Sequence, residues 1–169
     1  VKGSKTKAIP IVSSGKAAAL LLKHWDKKYD YVPEMIVVEG PEAGGHLGFS
    51  LEQLESNISL KDILPDVFKA IKPFEDKHNT KISVVCGGGI YTGKDISEYI
   101  KLGASGVQMA TRFVATNECD AAEEVKNPLA QFNHSKPNKN GIWELVRTIN
   151  LSLKEDSLKE SILEKVFSE

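Results

Sequence analysis

Residues 35–48 read Met35-Ile36-Val37-Val38-Glu39-Gly40-Pro41-Glu42-Ala43-Gly44-Gly45-His46-Leu47-Gly48. A short, unbroken apolar run rich in β-branched residues ends abruptly in a glycine turn. Such a run, without polar alternation, is the pattern of a parallel strand covered on both faces. A glycine turn at its end marks the strand-to-loop junction where α/β chains bind their ligands. The same grammar recurs along the chain. Ile82 to Cys86 runs into Gly87-Gly88-Gly89-Ile90, and Gly106 to Met109 runs into Ala110-Thr111-Arg112-Phe113. Lys7 to Val12, closed by Ser13-Ser14-Gly15, reads as a strand too, although Pro10 counts against a central position.

Helical patterns lie between these strands. Lys16 to Lys28 has Ala17, Leu20, Leu21 and His24 at helical spacing, with basic residues toward its C-terminal end. Leu60 to Lys72 carries an apolar stripe of Leu60, Ile63, Leu64, Val67, Phe68 and Ile71, and Pro65 falls near its start. Asp76 to Lys81 reads as a connector. Asp95 to Leu102 reads as a third helix, with Thr92 or Asp95 as its cap and Gly103 as its stop. Strand, loop and helix thus alternate four times, which argues for parallel strands in an α/β fold. The alternation does not choose between a closed barrel and an open sheet. Four units are half of a (β/α)8 barrel.

The character changes beyond residue 120. Residues 121–141 begin with a short helical piece, then become polar with Pro128 and Pro137, and read as a linker. Residues 142–169 read as a tail of two amphipathic helices. The chain starts on Val1, not methionine, and enters a strand pattern almost at once, so we expect a piece cut from a longer chain.

Charge narrows the function classes. The chain has 22 basic and 23 acidic residues among 169, which gives no electrostatic reason to expect nucleic acid or an anionic membrane. No stretch approaches the ~20 apolar residues of a membrane span. Cys86 and Cys119 lack metal or redox spacing, so neither a metal site nor a disulfide framework is expected. A cytoplasmic protein with a small-molecule substrate is the expectation.

The strand-end loops hold the candidate chemistry. Gly87-Gly88-Gly89 leaves room for backbone N–H groups to meet an anion, and the following helix offers its positive end. The same glycines also suit a plain tight turn, and Thr111 suits a helix cap. His46 is the candidate acid–base residue, because a neutral imidazole can take a proton near neutral pH; an ordinary solvated histidine is the plainer reading. Glu39 and Glu42 either orient His46 or face solvent. Arg112 suits a phosphate or an ion pair equally.

Taken together, Val38-Glu39-Gly40-x-Glu42-Ala43-Gly44-Gly45-His46-x-Gly48, then Gly88-Gly89-Ile90, then Gly106-Val107-Gln108-Met109-x-Thr111-Arg112-Phe113 resemble the nitronate monooxygenase family, formerly 2-nitropropane dioxygenase. Flavin-dependent enoyl-ACP reductases share the pattern. The resemblance runs from Ala8 to Asp120, corresponds to the family's C-terminal half, and implies an FMN-binding (β/α)8 barrel. This chain would then be a partial barrel of four βα units (residues 1–120) plus C-terminal helices. It implies His46 over the flavin as base or contact to a nitro group. It also implies Gly45, Gly88, Gly89, Gln108, Met109, Ala110 and Thr111 at FMN, with Ser14 near it. The family usually has glycine where this chain has Ala110. The implied activity is oxidation of alkyl nitronates with oxygen to a carbonyl compound and nitrite. The alternatives are NAD(P)H-dependent enoyl-ACP reduction, or a non-catalytic half-barrel that binds a phosphate ligand or a partner chain. A half-barrel exposes sheet edges, so pairing with a second copy or with a missing N-terminal half is expected.

Overall fold

The computed structural model describes residues 5–43, 49, 53, 58–123 and 126. These fall in two compact units that divide between Met109 and Ala110. The expected linker (121–141) and helical tail (142–169) lie almost wholly outside the described residues, as do Gly45 and His46.

The first unit is a four-stranded, fully parallel sheet with its strands in chain order. Strand β1 is Ile11–Val12, β2 is Met35–Glu39, β3 is Ser83–Gly87 and β4 is Gly106–Gln108. Helices α1 (Gly15–Tyr29), α2 (Leu60–His78) and α3 (Gly93–Lys101) connect them. Each strand pairs with the one before it, and the order never reverses. A doubly wound sheet reverses at its switch point, whereas a barrel winds one way. The sequence left that choice open, and the strand order favours the barrel type.

Burial along the strands agrees. Val12, Ile36, Val38, Val84 and Cys86 occupy one face and are all buried. The buried residues of α1 (Ala18, Leu22) and α2 (Leu60, Ile63, Leu64, Val67, Ile71) complete that core. The opposite face carries Ile11, Val37, Glu39, Ser83, Val85, Gly87 and Gln108. There Ile11 is 58% exposed, Gln108 is exposed, and Ser83 and Val85 are half-buried. Burial on both faces, expected from the apolar runs, holds for Ile36 to Val38 but not for Val85.

Two boundaries differ most from the sequence reading, while the third helix starts two residues early, at Gly93, and β4 ends at Gln108 rather than Met109. The first strand shortens to Ile11–Val12; Pro10 has no N–H to give, yet its carbonyl accepts from Val37 N–H at 2.9 Å. Helix α2 does not stop at Lys72 but passes through Pro73 to His78. A proline there loses one helical hydrogen bond. The turn beyond it is held from outside. Lys72 pairs with Asp76, Lys77 and His78 both reach Asp26 of α1, and Glu75 accepts from Ile82 N–H at 2.8 Å. Asn79, left-handed at φ 46°, closes the helix. None of the described helices is long and apolar enough to cross a membrane.

The second unit's described part opens with a short helix, α4 (Thr111–Val114).

Candidate functional site

The carboxyl ends of β2, β3 and β4 bring Glu39, Gly87 and Gln108 into register on the face that the helices leave open. Gly87 has no side chain, so its neighbours meet across it. A Cβ there would lie 3.4 Å from Glu39 Cγ and 3.7 Å from Gln108 Cβ. Gln108 Nε2 comes within 3.5 Å of Glu39 Oε1. The sequence reading singled out Gln108 and offered Glu39 only as an orienting residue for His46. The signal it lacked was register, since Glu39 lies 69 positions from its partner in the chain.

The two glycine turns meet just beyond. Gly40 N–H donates to Gly87 C=O at 3.1 Å, and Ala43 N–H donates to Gly40 C=O at 3.0 Å. Gly88 and Gly89 follow with φ of 95° and 72°, backbone that side-chain-bearing residues rarely adopt. No hydrogen bond to Gly88 N–H or Gly89 N–H is made among the described residues. Backbone donors left uncommitted beside paired positive-φ glycines are suited to an anion.

The following helix adds less than its dipole suggests. Thr92 and Asp95 form a reciprocal capping box at the start of α3. Asp95 Oδ2 takes Tyr91 N–H at 3.1 Å and Thr92 N–H at 2.8 Å, while Thr92 Oγ1 takes Asp95 N–H at 3.2 Å. A carboxylate therefore already neutralises that helix end. The expected contribution of a positive helix end to anion binding is offset by Asp95, and Gly88-Gly89 remains the better-suited donor pair.

Met109 ends the first unit, and Ala110 opens the second as the N-cap of α4, without a side-chain cap. Its φ is −128°, so alanine sits there without the strain that a glycine-requiring conformation would impose. Thr111 is the first helical residue and exposed; the alternative reading of Thr111 as the cap is not realised. Ser14 caps α1, with its Oγ accepting from Ala17 N–H at 3.1 Å.

Other ionisable groups have structural work. Burial pushes the Cys86 thiol up to about 11, which removes it as a nucleophile near neutral pH. Burial first, and then the charge of Glu42, push the Tyr99 hydroxyl up to about 12. Asp26, Asp30 and His78 bring potential metal-ligating atoms within 4.8 Å of one another. Lys77 already engages both oxygens of Asp26, at 2.6 and 2.8 Å. Lys77 and His78 hold the Asp26 carboxyl below its usual range.

Comparison with known proteins extends these observations. The family model for nitronate monooxygenase matches residues 2–137. That is the N-terminal part of this chain, and it runs past Asp120, where the motif reading had stopped. A probable nitronate monooxygenase of Staphylococcus saprophyticus is 34% identical over 101 residues, covering 58% of this chain and 26% of that protein. The (3aS,4S,5R,7aS)-5-hydroxy-7a-methyl-1-oxo-octahydro-1H-indene-4-carboxyl-CoA dehydrogenase of Mycobacterium tuberculosis is 30% identical over 124 residues, covering 73% of this chain and 30% of that protein. Among solved structures, FabK from Thermotoga maritima matches with a TM-score of 0.55 at 28% identity, covering 75% of this chain and 33% of that one. A nitroalkane oxidase from Streptomyces ansochromogenes matches with a TM-score of 0.57 at 26% identity, again over 75% of this chain and 33% of that one. The fold is that of the (β/α)8 TIM-barrel type, here as a four-unit part. The chain spans about a third or less of the length of these relatives.

Proposed function

The chain belongs to the nitronate monooxygenase family, matched over residues 2–137, and from that premise we propose that it serves a flavin-dependent oxidoreductase that oxidises alkyl nitronates with oxygen. The observation that carries this reading is the cluster at the carboxyl ends of β2, β3 and β4. Paired positive-φ glycines follow β3, beside the Glu39–Gln108 pair, and among the described residues their N–H groups make no hydrogen bond. Loops at strand carboxyl ends are where barrels of this type bind phosphate and carry out chemistry.

The described residues Gly88 and Gly89 suit the phosphate of a flavin in donor type, because positive φ and the lack of a side chain leave their backbone accessible. Gly88 and Gly89 offer backbone donors to its phosphate, assisted by Gly45, Met109, Ala110 and Thr111. Gln108 offers an amide and Glu39 a carboxylate to its polar chain. The flavin, as FMN, supplies the electron transfer when bound. His46 then binds the nitro group or takes the substrate's proton. The products are a carbonyl compound and nitrite. The FabK neighbour, read with the motif shared by flavin-dependent enoyl-ACP reductases, supports NAD(P)H-driven reduction of an enoyl thioester as the second reading. Closure of the barrel by a second copy or by further βα units is part of the same proposal.

The chain is purified with FMN, and its visible spectrum and mass are recorded. A bound flavin, followed by nitrite release from propionate-3-nitronate, is the expected result. NADH oxidation driven by a crotonyl thioester, without nitrite, would move the assignment to the second reading. A preparation that never takes up flavin would defeat catalysis by this chain alone.

A further inference from the structure

A methyl group is excluded at Gly88 by backbone alone. A Cβ there would lie 2.6 Å from Ala43 N, 2.9 Å from Ala43 Cα and 2.9 Å from Glu42 C. No rotamer change relieves contacts with main-chain atoms, so the loop itself would have to move. From another side, a Cβ at Gly40 would lie 2.8 Å from Leu60 Cβ on α2. Residues 40–43 are thus gripped between the start of α2 and Gly88, and tied to the end of β3 through Gly87 C=O.

We infer that Gly88 is a positioning residue: it is the seat of residues 40–43, and through Ala43 it fixes the direction in which the chain leaves β2. It holds this role with or without flavin, in addition to any contact its N–H makes to a phosphate. The inference rests on the proposed function only for its consequence in turnover. The seat itself is a property of the folded chain.

Site-resolved hydrogen exchange on flavin-free protein tests it. In the wild type, the Ala43 amide should exchange at least ~100-fold slower than in an unstructured chain. In Gly88→Ala it should come within ~10-fold of the unstructured rate, while the Ile36 and Val84 amides stay slow. Gly93→Ala is the control, because a Cβ there meets nothing within 4 Å; it should change neither. At saturating flavin, Gly88→Ala should lower kcat ~100-fold, as expected when the turn that carries the reacting groups is displaced. Rapid exchange of Ala43 in the flavin-free wild type overturns the inference, and so does slow exchange that persists in Gly88→Ala. Should Gly88→Ala fail to fold, Ile36 and Val84 lose protection as well, and the wild-type measurement alone decides. An absence of turnover on nitronates would defeat the functional reading and leave the exchange result standing.

Discussion

The α1–α2 contact and the contact between the glycine turns use the same device at different places. At the start of α1, a Cβ on Gly15 would lie 2.6 Å from Asp66 O and 2.7 Å from Asp66 C on α2. At the turns, a Cβ on Gly88 would lie 2.6 Å from Ala43 N. Both glycines exist because two backbones touch. The helix contact is also fastened by ion pairs, with Lys77 and His78 each 2.6 Å from Asp26 Oδ1. The turn contact is fastened by main-chain hydrogen bonds, and among the described residues none of them uses the N–H groups of Gly88 or Gly89. A glycine forced by close approach is therefore no sign of a ligand by itself. The sign is what the surrounding backbone leaves unpaired.

That difference can be broken experimentally, and the largest effect is expected at the helices. Gly15→Ala should destabilise the chain by ~1–3 kcal/mol, the usual cost of overpacking, because Asp66 O is backbone and cannot swing away. Urea unfolding with flavin titration checks it; flavin affinity should not move. Next comes Thr92→Ala, which removes half of the α3 capping box and should cost ~1 kcal/mol in thermal unfolding. Asp95→Asn sharpens the anion side of the comparison. It lifts the carboxylate from the helix end and should tighten binding of inorganic phosphate severalfold. Unchanged or weaker phosphate binding would show that the end of α3 does not face the anion.

The acid limb isolates the ion pairs. Lys77 first, and then His78, hold Asp26 below the ordinary carboxyl value of 3.8, so the folded state prefers the ionised form. Its stabilisation is present above 3.8 and is lost as pH falls through the lowered folded value. Glu34 behaves likewise between 4.5 and about 2, through Lys7 and Tyr31. Lys77→Met should flatten the Asp26 part of this acid limb and leave the alkaline limb alone. There Tyr99, raised from 10.0 to about 12, withdraws its stabilisation as pH climbs through that interval. Thermal midpoints across pH read both limbs. The smallest effect is expected for Leu20→Lys, on a side chain 61% exposed on α1, which should shift stability by no more than ~0.5 kcal/mol.

Local signals were legible in the sequence, and tertiary ones were not. The apolar runs located β2 and β3 within a residue, and the stripe from Leu60 to Ile71 located α2, because period and propensity are short-range properties. The end of α2 was missed because Asp26, half the fold away, supports the turn after Pro73. Barrel or open sheet was undecidable until strand order was seen, since alternation is the same in both. At the candidate site, Gly88, Gly89 and Gln108 were singled out from motif alone. The Glu39–Gln108 register, the negative occupant of the α3 start and the negative φ of Ala110 depend on backbone geometry that no spacing encodes.

The chain-ordered sheet has a consequence for how the protein is made. Among the described strands, each one after β1 hydrogen-bonds to the strand immediately before it in the chain. A nascent chain emerging from the ribosome thus never waits for a distant segment to complete the pair just formed, and the loop to be closed at each step is one βα unit long. Assembly is expected to proceed vectorially, β1 with β2, then β3, then β4. Release of successively longer nascent chains, probed by limited proteolysis, should show protection gained one unit at a time; protection arriving all at once after β4 would mean that the sheet forms only as a whole.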